Sequence, residues 1–89
     1  MARVVASIKI FPAEPGANLE DLKGEIKRAL PEGIEVYKME EEPIAFGLVA
    51  LVGHFVLPGD SGGLMEKLEE GLKSTPGVGE IQFISARRV

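Results

Sequence analysis

Residues 40–57 read EEEPIAFGLVALVGHFVL, and this stretch decides the fold of the chain. Three consecutive carboxylates resist burial, whereas residues 48–57 form an uncharged, mostly apolar run. Successive side chains of a strand point to opposite faces, so a run that is apolar at both parities predicts a strand in the centre of a sheet. Phe46 lies at the mouth of this strand, where a rigid element can aim its ring at a partner.

Alternation and helical spacing predict the other elements. Residues 3–10 alternate and predict a first strand with one core face, after which residues 11–16 break the pattern with prolines and a glycine. Asn18 is a suitable N-cap for a first helix, which Pro31 and Gly33 end. Residues 34–41 predict a charged edge strand that alternates loosely, with Ile34, Val36 and Lys38 against Glu35, Tyr37 and Met39. A second helix with an apolar stripe is expected to follow a cap at residue 60 or 61, with Gly62 and Gly63 weakening its first turn, and residues 78–88 predict the last strand.

The resulting order, β-α-β-β-α-β, predicts an α+β fold, the ferredoxin-like plait. Right-handed crossovers put both helices on one face of a four-stranded antiparallel sheet, with the first and third strands in the centre. The other face stays open. Since the third strand is apolar at both parities, part of that face is expected to be either a contact surface or tolerated exposed apolar side chains.

Composition narrows the function classes. The chain has 89 residues and no cysteine, so we expect one small domain over residues 1–89 without disulfides, thiol chemistry or the usual zinc ligand sets. Its net charge of −4 opposes binding to a nucleic-acid backbone. The amino terminus resembles neither a signal peptide nor a membrane span. We expect a cytoplasmic protein with no cofactor, no metal, no direct nucleic-acid partner and no membrane contact.

Two patterns suggest catalysis or metal binding, and both have simpler interpretations. Residues 59–63, GDSGG, spell the nucleophile motif of trypsin-like proteases, but that chemistry needs an oriented histidine base, an oxyanion hole and two barrels. We interpret the motif as a turn in which Asp60 or Ser61 caps the second helix. The single histidine, His54, lies in the apolar strand without a partnering ligand and is expected to be structural or a surface residue. Neighbours in the acidic run 40–42 point to opposite faces, so the run indicates a solvated edge rather than a cation site.

The third strand invites comparison with the RNA-recognition motif, which has a basic residue and stacking aromatic residues there. Phe46, Gly47 and Val49 agree with that motif. Ile44 takes the basic position, however, and leucines at 48 and 51 take two aromatic positions. Because stacking needs those rings, and because the chain is acidic, RNA binding through the sheet is not expected.

The carboxyl terminus carries two guanidinium groups, Arg87 and Arg88, in an otherwise acidic protein. A solvated tail is one interpretation. The other is a contact with an anionic site of a partner, because guanidinium is always charged and can bind phosphates or carboxylates in a bidentate manner.

Taken together, three segments resemble archaeal translation elongation factor 1-beta, the counterpart of the nucleotide-exchange domain of the eukaryotic factor. The segments are residues 4–10, residues 41–51 and residues 78–81 with the terminal arginines, and residues 41–51 are the most specific. The resemblance covers essentially the whole chain. It implies a guanine nucleotide exchange factor that promotes GDP release and GTP reloading on elongation factor 1-alpha, the GTPase that carries aminoacyl-tRNA, without covalent chemistry.

The resemblance also implies which residues bind the partner. In the family an aromatic residue before the third strand docks into the GTPase, which matches Phe46, with Pro43, Ile44 and Gly47 shaping its loop. A lysine near the family's carboxyl terminus disturbs the magnesium and phosphate site. Arg88 or, with a different register, Arg87 takes that position here, and guanidinium is broader and more rigid than ammonium.

Two rivals remain from other classes. One is a small RNA-binding or ribosome-associated module, which a gel shift with RNA would detect. The other is a structural or ligand-sensing plait that dimerises through its open sheet face, which light scattering would detect.

Overall fold

The computed structural model describes residues 3–14, 16–59 and 63–89. Its elements are β1 (Arg3–Pro12), α1 (Leu19–Ala29), β2 (Glu35–Pro43), β3 (Val49–Pro58), α2 (Leu64–Lys73) and β4 (Val78–Arg88). The four strands form one sheet in the order β2-β3-β1-β4, and all neighbouring strands are antiparallel. The predicted fold class is confirmed, with β1 and β3 in the centre and the charged β2 at an edge.

Local signals explain where the helices begin. The Asn18 side chain accepts a hydrogen bond from the backbone N–H of Asp21 at 3.1 Å, so α1 has the predicted N-cap. Helix α2 begins after Gly63, which provides no side-chain cap. The predicted caps Asp60 and Ser61 lie outside the described residues. No helix in the described part of the chain is long and apolar enough to cross a membrane.

Both helices pack on the same face of the sheet, because their apolar stripes join a single cluster with β1 and β3. The fully buried large side chains of that cluster are Ile8, Ile10, Ile26, Leu51, Phe55, Leu68 and Leu72. Burial of seven such side chains, at roughly 1.5–3 kcal/mol each, is the main favourable term for a chain of this length.

Two strand details differ from the sequence prediction. Strand β1 continues to Pro12, beyond the predicted break, because its last pairs are made with β4 alone and Pro12 lies opposite Val78. In β2 the loosely alternating assignment of faces is wrong after Val36, since a register irregularity at Tyr37 makes Lys38 the next residue to pair with β3. An extra residue of this kind reverses the parity, so Val36 and Met39 both pack against the core.

The centre of β3 contains a close approach that requires glycine. A Cβ atom built on Gly53 would lie 2.6 Å from two atoms of the Phe55 ring. The ring therefore occupies space that any other residue at position 53 would fill. Glycine at position 53 therefore leaves room for the Phe55 ring, which is fully buried in the middle of the core.

Candidate partner-binding site

A tight turn joins β2 to β3 and presents Phe46. The backbone N–H of Leu48 donates to the Ala45 carbonyl at 3.0 Å, and the two residues between them, Phe46 and Gly47, have φ angles of 58° and 77°. Positive φ at both central residues is the signature of a type I′ turn, which matches the right-handed twist of a hairpin. Asn-Gly is the usual sequence there; this chain has Phe-Gly.

Phe46 is the one residue other than glycine with positive φ among the described residues, and its side chain is 100% exposed. A bulky L residue in this region of backbone space is disfavoured by roughly 1–2 kcal/mol. An exposed ring gains no burial in return. Strain of this kind collects at functional positions, which makes Phe46 a candidate contact residue.

The other predicted loop residues lie around the ring. Pro43 ends β2 opposite Val49, at the sheet edge where a missing backbone N–H is tolerated. The N–H of Ile44 donates to the Leu48 carbonyl at 2.8 Å, and both of these side chains are exposed. Pro43, Ile44, Phe46 and Gly47 are therefore exposed residues of one tight turn, which we call the hairpin tip (residues 43–48).

A cleft of about 330 Å³ opens beside the hairpin tip. One wall comes from the tip and the start of β3, and the other from the segment that connects β1 to α1. Its lining residues are Phe11, Pro12, Glu14, Gly16, Ala17, Leu19, Ile44, Gly47, Leu48 and Val49. Most of these are apolar, and Glu14 is the one charged residue among them.

The two terminal arginines lie at the opposite end of the sheet. Arg88 pairs with Val4, which in turn pairs with Leu57. Leu57 is eight residues along β3 from Val49, or about 26 Å at roughly 3.3 Å per residue. The structure thus brings the hairpin residues together and keeps Arg87 and Arg88 apart from them.

The register also separates the two arginines from each other. Arg87 pairs with Val5, whose side chain lies on the open face, whereas Arg88 pairs with Val4 on the helix-covered face. Both are exposed, and neither takes part in an ion pair within the described residues. They remain available to anions approaching from different sides of the sheet.

The open face carries a chain of polar contacts across three strands. Ser7 Oγ lies 2.7 Å from His54 Nδ1, and His54 Nε2 lies 3.0 Å from Glu40 Oε1. An ionised carboxylate accepts only, so Nε2 carries a hydrogen and donates to Glu40, while the serine hydroxyl, which can donate or accept, is the partner of Nδ1. The His54 hydrogen bond, followed by the charge of Lys38, holds the pKa of the Glu40 carboxyl below its ordinary value.

A second polar bridge covers β3 on this face. Lys9 of β1 reaches across β3 to Glu42 of β2, with 2.7 Å between Nζ and Oε2. Ala50 is fully buried and Val52 is half-buried. Over β3, the open face is therefore covered in part by the protein's own long side chains.

The acidic run has the alternating geometry expected of a strand. Glu40 lies opposite Val52 of β3 and Glu42 opposite Ala50, so both carboxylates lie on the open face. Glu41 lies opposite Leu51 on the core side, and its Oε2 is 3.4 Å from Lys23 Nζ of α1. All three side chains are exposed at the sheet edge. The interpretation of a solvated edge is confirmed.

Comparison with known proteins shows the family to which the chain belongs. Residues 5–89 match the EF-1 guanine nucleotide exchange domain. The chain belongs to that family. The predicted family is confirmed, and so is the predicted function of a guanine nucleotide exchange factor.

Relatives named Elongation factor 1-beta match over nearly their full length. The protein of Methanothermobacter thermautotrophicus is 48% identical over 100% of this chain and 99% of its own. Those of Methanobrevibacter smithii and Hyperthermus butylicus are 43% and 40% identical, again over 100% of this chain and over 99% and 97% of theirs.

A solved structure supports the fold independently of sequence. The solution structure of the C-terminal domain of the MgtC protein from Mycobacterium tuberculosis has a TM-score of 0.60 to this chain, covers 94% of it and is covered over 86% of its own length. The two share 17% sequence identity, so this likeness shows the fold alone.

Sequence reasoning found the hairpin tip but missed two features beside it. The cleft joins residues 11–19 to residues 44–49, and the Ser7–His54–Glu40 contacts join three strands. Each set is distant in sequence. The pairing of β1 with β3, which the predicted topology already implied, was the signal that could have placed Ser7 beside His54.

Proposed function

We propose that this protein accelerates GDP release from elongation factor 1-alpha, and thereby GTP reloading, by docking the ring of Phe46 into the GTPase. The observation that carries the proposal is a fully exposed phenylalanine held at positive φ in a type I′ turn. Exposed aromatic anchors on rigid elements are typical of the residues that dominate binding energy at interfaces. Membership of the exchange-domain family supplies the partner.

The physical requirement is differential affinity. A factor that binds the GDP-bound and nucleotide-free forms of the GTPase equally well changes neither population. This protein therefore binds the nucleotide-free form more tightly, and by reciprocity its binding weakens the hold on GDP by the same factor. No covalent bond is made or broken. Residues 1–89 act as one exchange domain in the cytoplasm, without a cofactor, nucleic acid or membrane.

The terminal arginines are a second contact in this proposal. The end of β3 that is level with them lies about 26 Å from Val49, the residue next to the hairpin tip, whereas a compact partner domain of about 150 residues is roughly 40 Å across. One partner domain is wide enough to meet both ends. Arg87 or Arg88 then acts on the anionic nucleotide site by charge, while Phe46 supplies the apolar anchor.

The direct test is release of fluorescent GDP from elongation factor 1-alpha of the same organism, followed in a stopped-flow instrument with and without this protein. The expected result is acceleration that saturates as the concentration of the exchange factor rises. An unchanged release rate at saturating concentration contradicts the proposed function.

The second contact is tested by replacing the arginines singly, Arg87→Ser and Arg88→Ser, and by Arg88→Lys. Loss of the acting guanidinium lowers the maximal exchange rate and reduces its dependence on salt, because ionic contacts are screened. If Arg88 is that group, the lysine variant retains activity. Full activity in both serine variants and in their double variant contradicts the second contact and leaves the anchor intact.

A further inference from the structure

We propose that the cleft beside the hairpin tip is a second docking pocket, which receives an apolar side chain of the GTPase that has a lysine or arginine next to it. The inference rests on the proposed function, because it takes elongation factor 1-alpha as the partner. It adds a binding pocket on this protein to the anchor that this protein inserts.

The size and lining of the cleft fit such an occupant. Its volume of about 330 Å³ is at the small end of the range for ligand pockets and has room for a large apolar side chain. Phe11, Leu19, Leu48 and Val49 contribute apolar walls. Burial of an apolar side chain there contributes about 25 cal/mol for each Å² removed from water.

Hydrogen bonds hold both walls of the cleft in place. On one side the N–H of Ala13 donates to the Gly77 carbonyl at 2.8 Å, and the N–H of Ala17 donates to the Glu14 carbonyl at 3.3 Å. On the other side the turn bond from Leu48 to Ala45, at 3.0 Å, fixes the hairpin. A pocket that is formed before binding loses little conformational entropy when it is filled.

The cleft is continuous with the proposed anchor surface. Ile44, Gly47 and Leu48 line the cleft and also belong to the hairpin tip, on either side of Phe46 in the chain. A partner surface that accepts the Phe46 ring is therefore brought over the mouth of the cleft. Because the cleft and the hairpin tip share these residues, the group that enters the cleft belongs to the same GTPase and not to a separate ligand.

Charge specifies what accompanies the apolar group. Glu14 is exposed, is the one charged residue in the lining, and forms no ion pair among the residues that the structure describes. A carboxylate at the rim favours a cation from the partner and disfavours an acidic group. The matching surface on the GTPase therefore presents an apolar side chain with a basic neighbour.

The test fills the cleft and reverses its charge in separate variants, and measures binding to nucleotide-free elongation factor 1-alpha as well as GDP release. Ala17→Phe occupies the cleft, and Ala17→Ser at the same position leaves it open. Glu14→Lys reverses the rim charge, and Glu32→Lys makes the same change in net charge at an exposed site between α1 and β2. Thermal unfolding and circular dichroism establish that each variant is folded.

We expect Ala17→Phe to weaken binding at least ten-fold, and Ala17→Ser to weaken it several-fold less than Ala17→Phe does. Glu14→Lys should weaken binding about five-fold, with Glu32→Lys within two-fold of the parent. Wild-type affinity in folded Ala17→Phe overturns the pocket. If Ala17→Phe does not fold, the affinity of Glu14→Lys for nucleotide-free elongation factor 1-alpha is the test. Equal affinities of Glu14→Lys and Glu32→Lys then overturn the inference. Failure of the parent itself to bind or to accelerate GDP release is a different outcome, which contradicts the proposed function instead.

Discussion

Two phenylalanines of the same hairpin have opposite environments. Phe55 is fully buried over Gly53 in the central strand, and Phe46 is fully exposed at the tip with positive φ. The first ring stabilises the fold by burial and packing, whereas the second is disfavoured by its backbone and gains nothing inside the monomer. The difference shows that one residue type stabilises the fold where it is buried and is held exposed elsewhere, at the position where we propose that it contacts the partner.

The largest expected effect comes from removing the buried ring. Phe55→Ala leaves a cavity in the centre of the core and is expected to destabilise the protein by about 3–5 kcal/mol. Denaturant unfolding of this variant and of Phe46→Ala measures the contrast, since Phe46→Ala removes no buried contact. Equal losses of stability in the two variants would break the comparison.

A smaller loss is expected from crowding the same ring. Gly53→Ala places a Cβ atom only 2.6 Å from two atoms of the Phe55 ring. Because that distance is too short for two carbon atoms, the ring must shift at a cost of about 1–3 kcal/mol. The double variant with Phe55→Leu should lose less from the added methyl group than Gly53→Ala does alone, because the ring has gone. A full additive loss in the double variant would show that the ring is not the obstacle.

The exposed ring is expected to show the reverse sign. Phe46→Asn puts a residue that tolerates positive φ into the type I′ turn, so the variant should be more stable than the parent by about 1 kcal/mol and yet exchange nucleotide poorly. Chemical denaturation and the exchange assay measure the two effects on one preparation. Gly47→Ala, which puts a Cβ at φ 77°, is the matched control and should be destabilised.

The smallest effect on stability is expected from Glu40, which lies on the open face of the sheet. The pKa of Glu40 is lowered chiefly by its hydrogen bond to His54, so its contribution to stability is present above pH 4.5 and is lost as pH falls through the lower folded value. In His54→Ala the pKa of Glu40 should rise, while Lys38 still keeps it lowered. Carbon-detected NMR titration of the carboxyl measures both, and an identical pKa in the two proteins would exclude the hydrogen bond as the main cause.

Much of the fold was predictable because its signals are local. Asn18 caps α1 through a contact three residues away, and alternation in β1 and the apolar run of β3 report which strands lie in the centre. The irregularity at Tyr37 was not predictable, since it is set by pairing with β3 rather than by composition.

The candidate site residues could be named from the sequence, but their geometry could not be predicted. Phe46 was found from its position before the buried strand, yet Phe-Gly gives no conventional turn signal, so its positive φ emerged only in the structure. The separation of Arg87 and Arg88 from the hairpin tip follows from strand register. The cleft depends on two loops that are distant in sequence, and no local pattern predicts it.

The central claim is that the exposed ring, and not the fold that carries it, drives exchange. Its most direct measurement is the rate of fluorescent GDP release from elongation factor 1-alpha with the parent and with Phe46→Ala at equal concentrations. The account predicts that the variant has the unfolding midpoint of the parent and at least ten-fold slower release, as expected for loss of an interface anchor. Release at the parent rate by folded Phe46→Ala would contradict it.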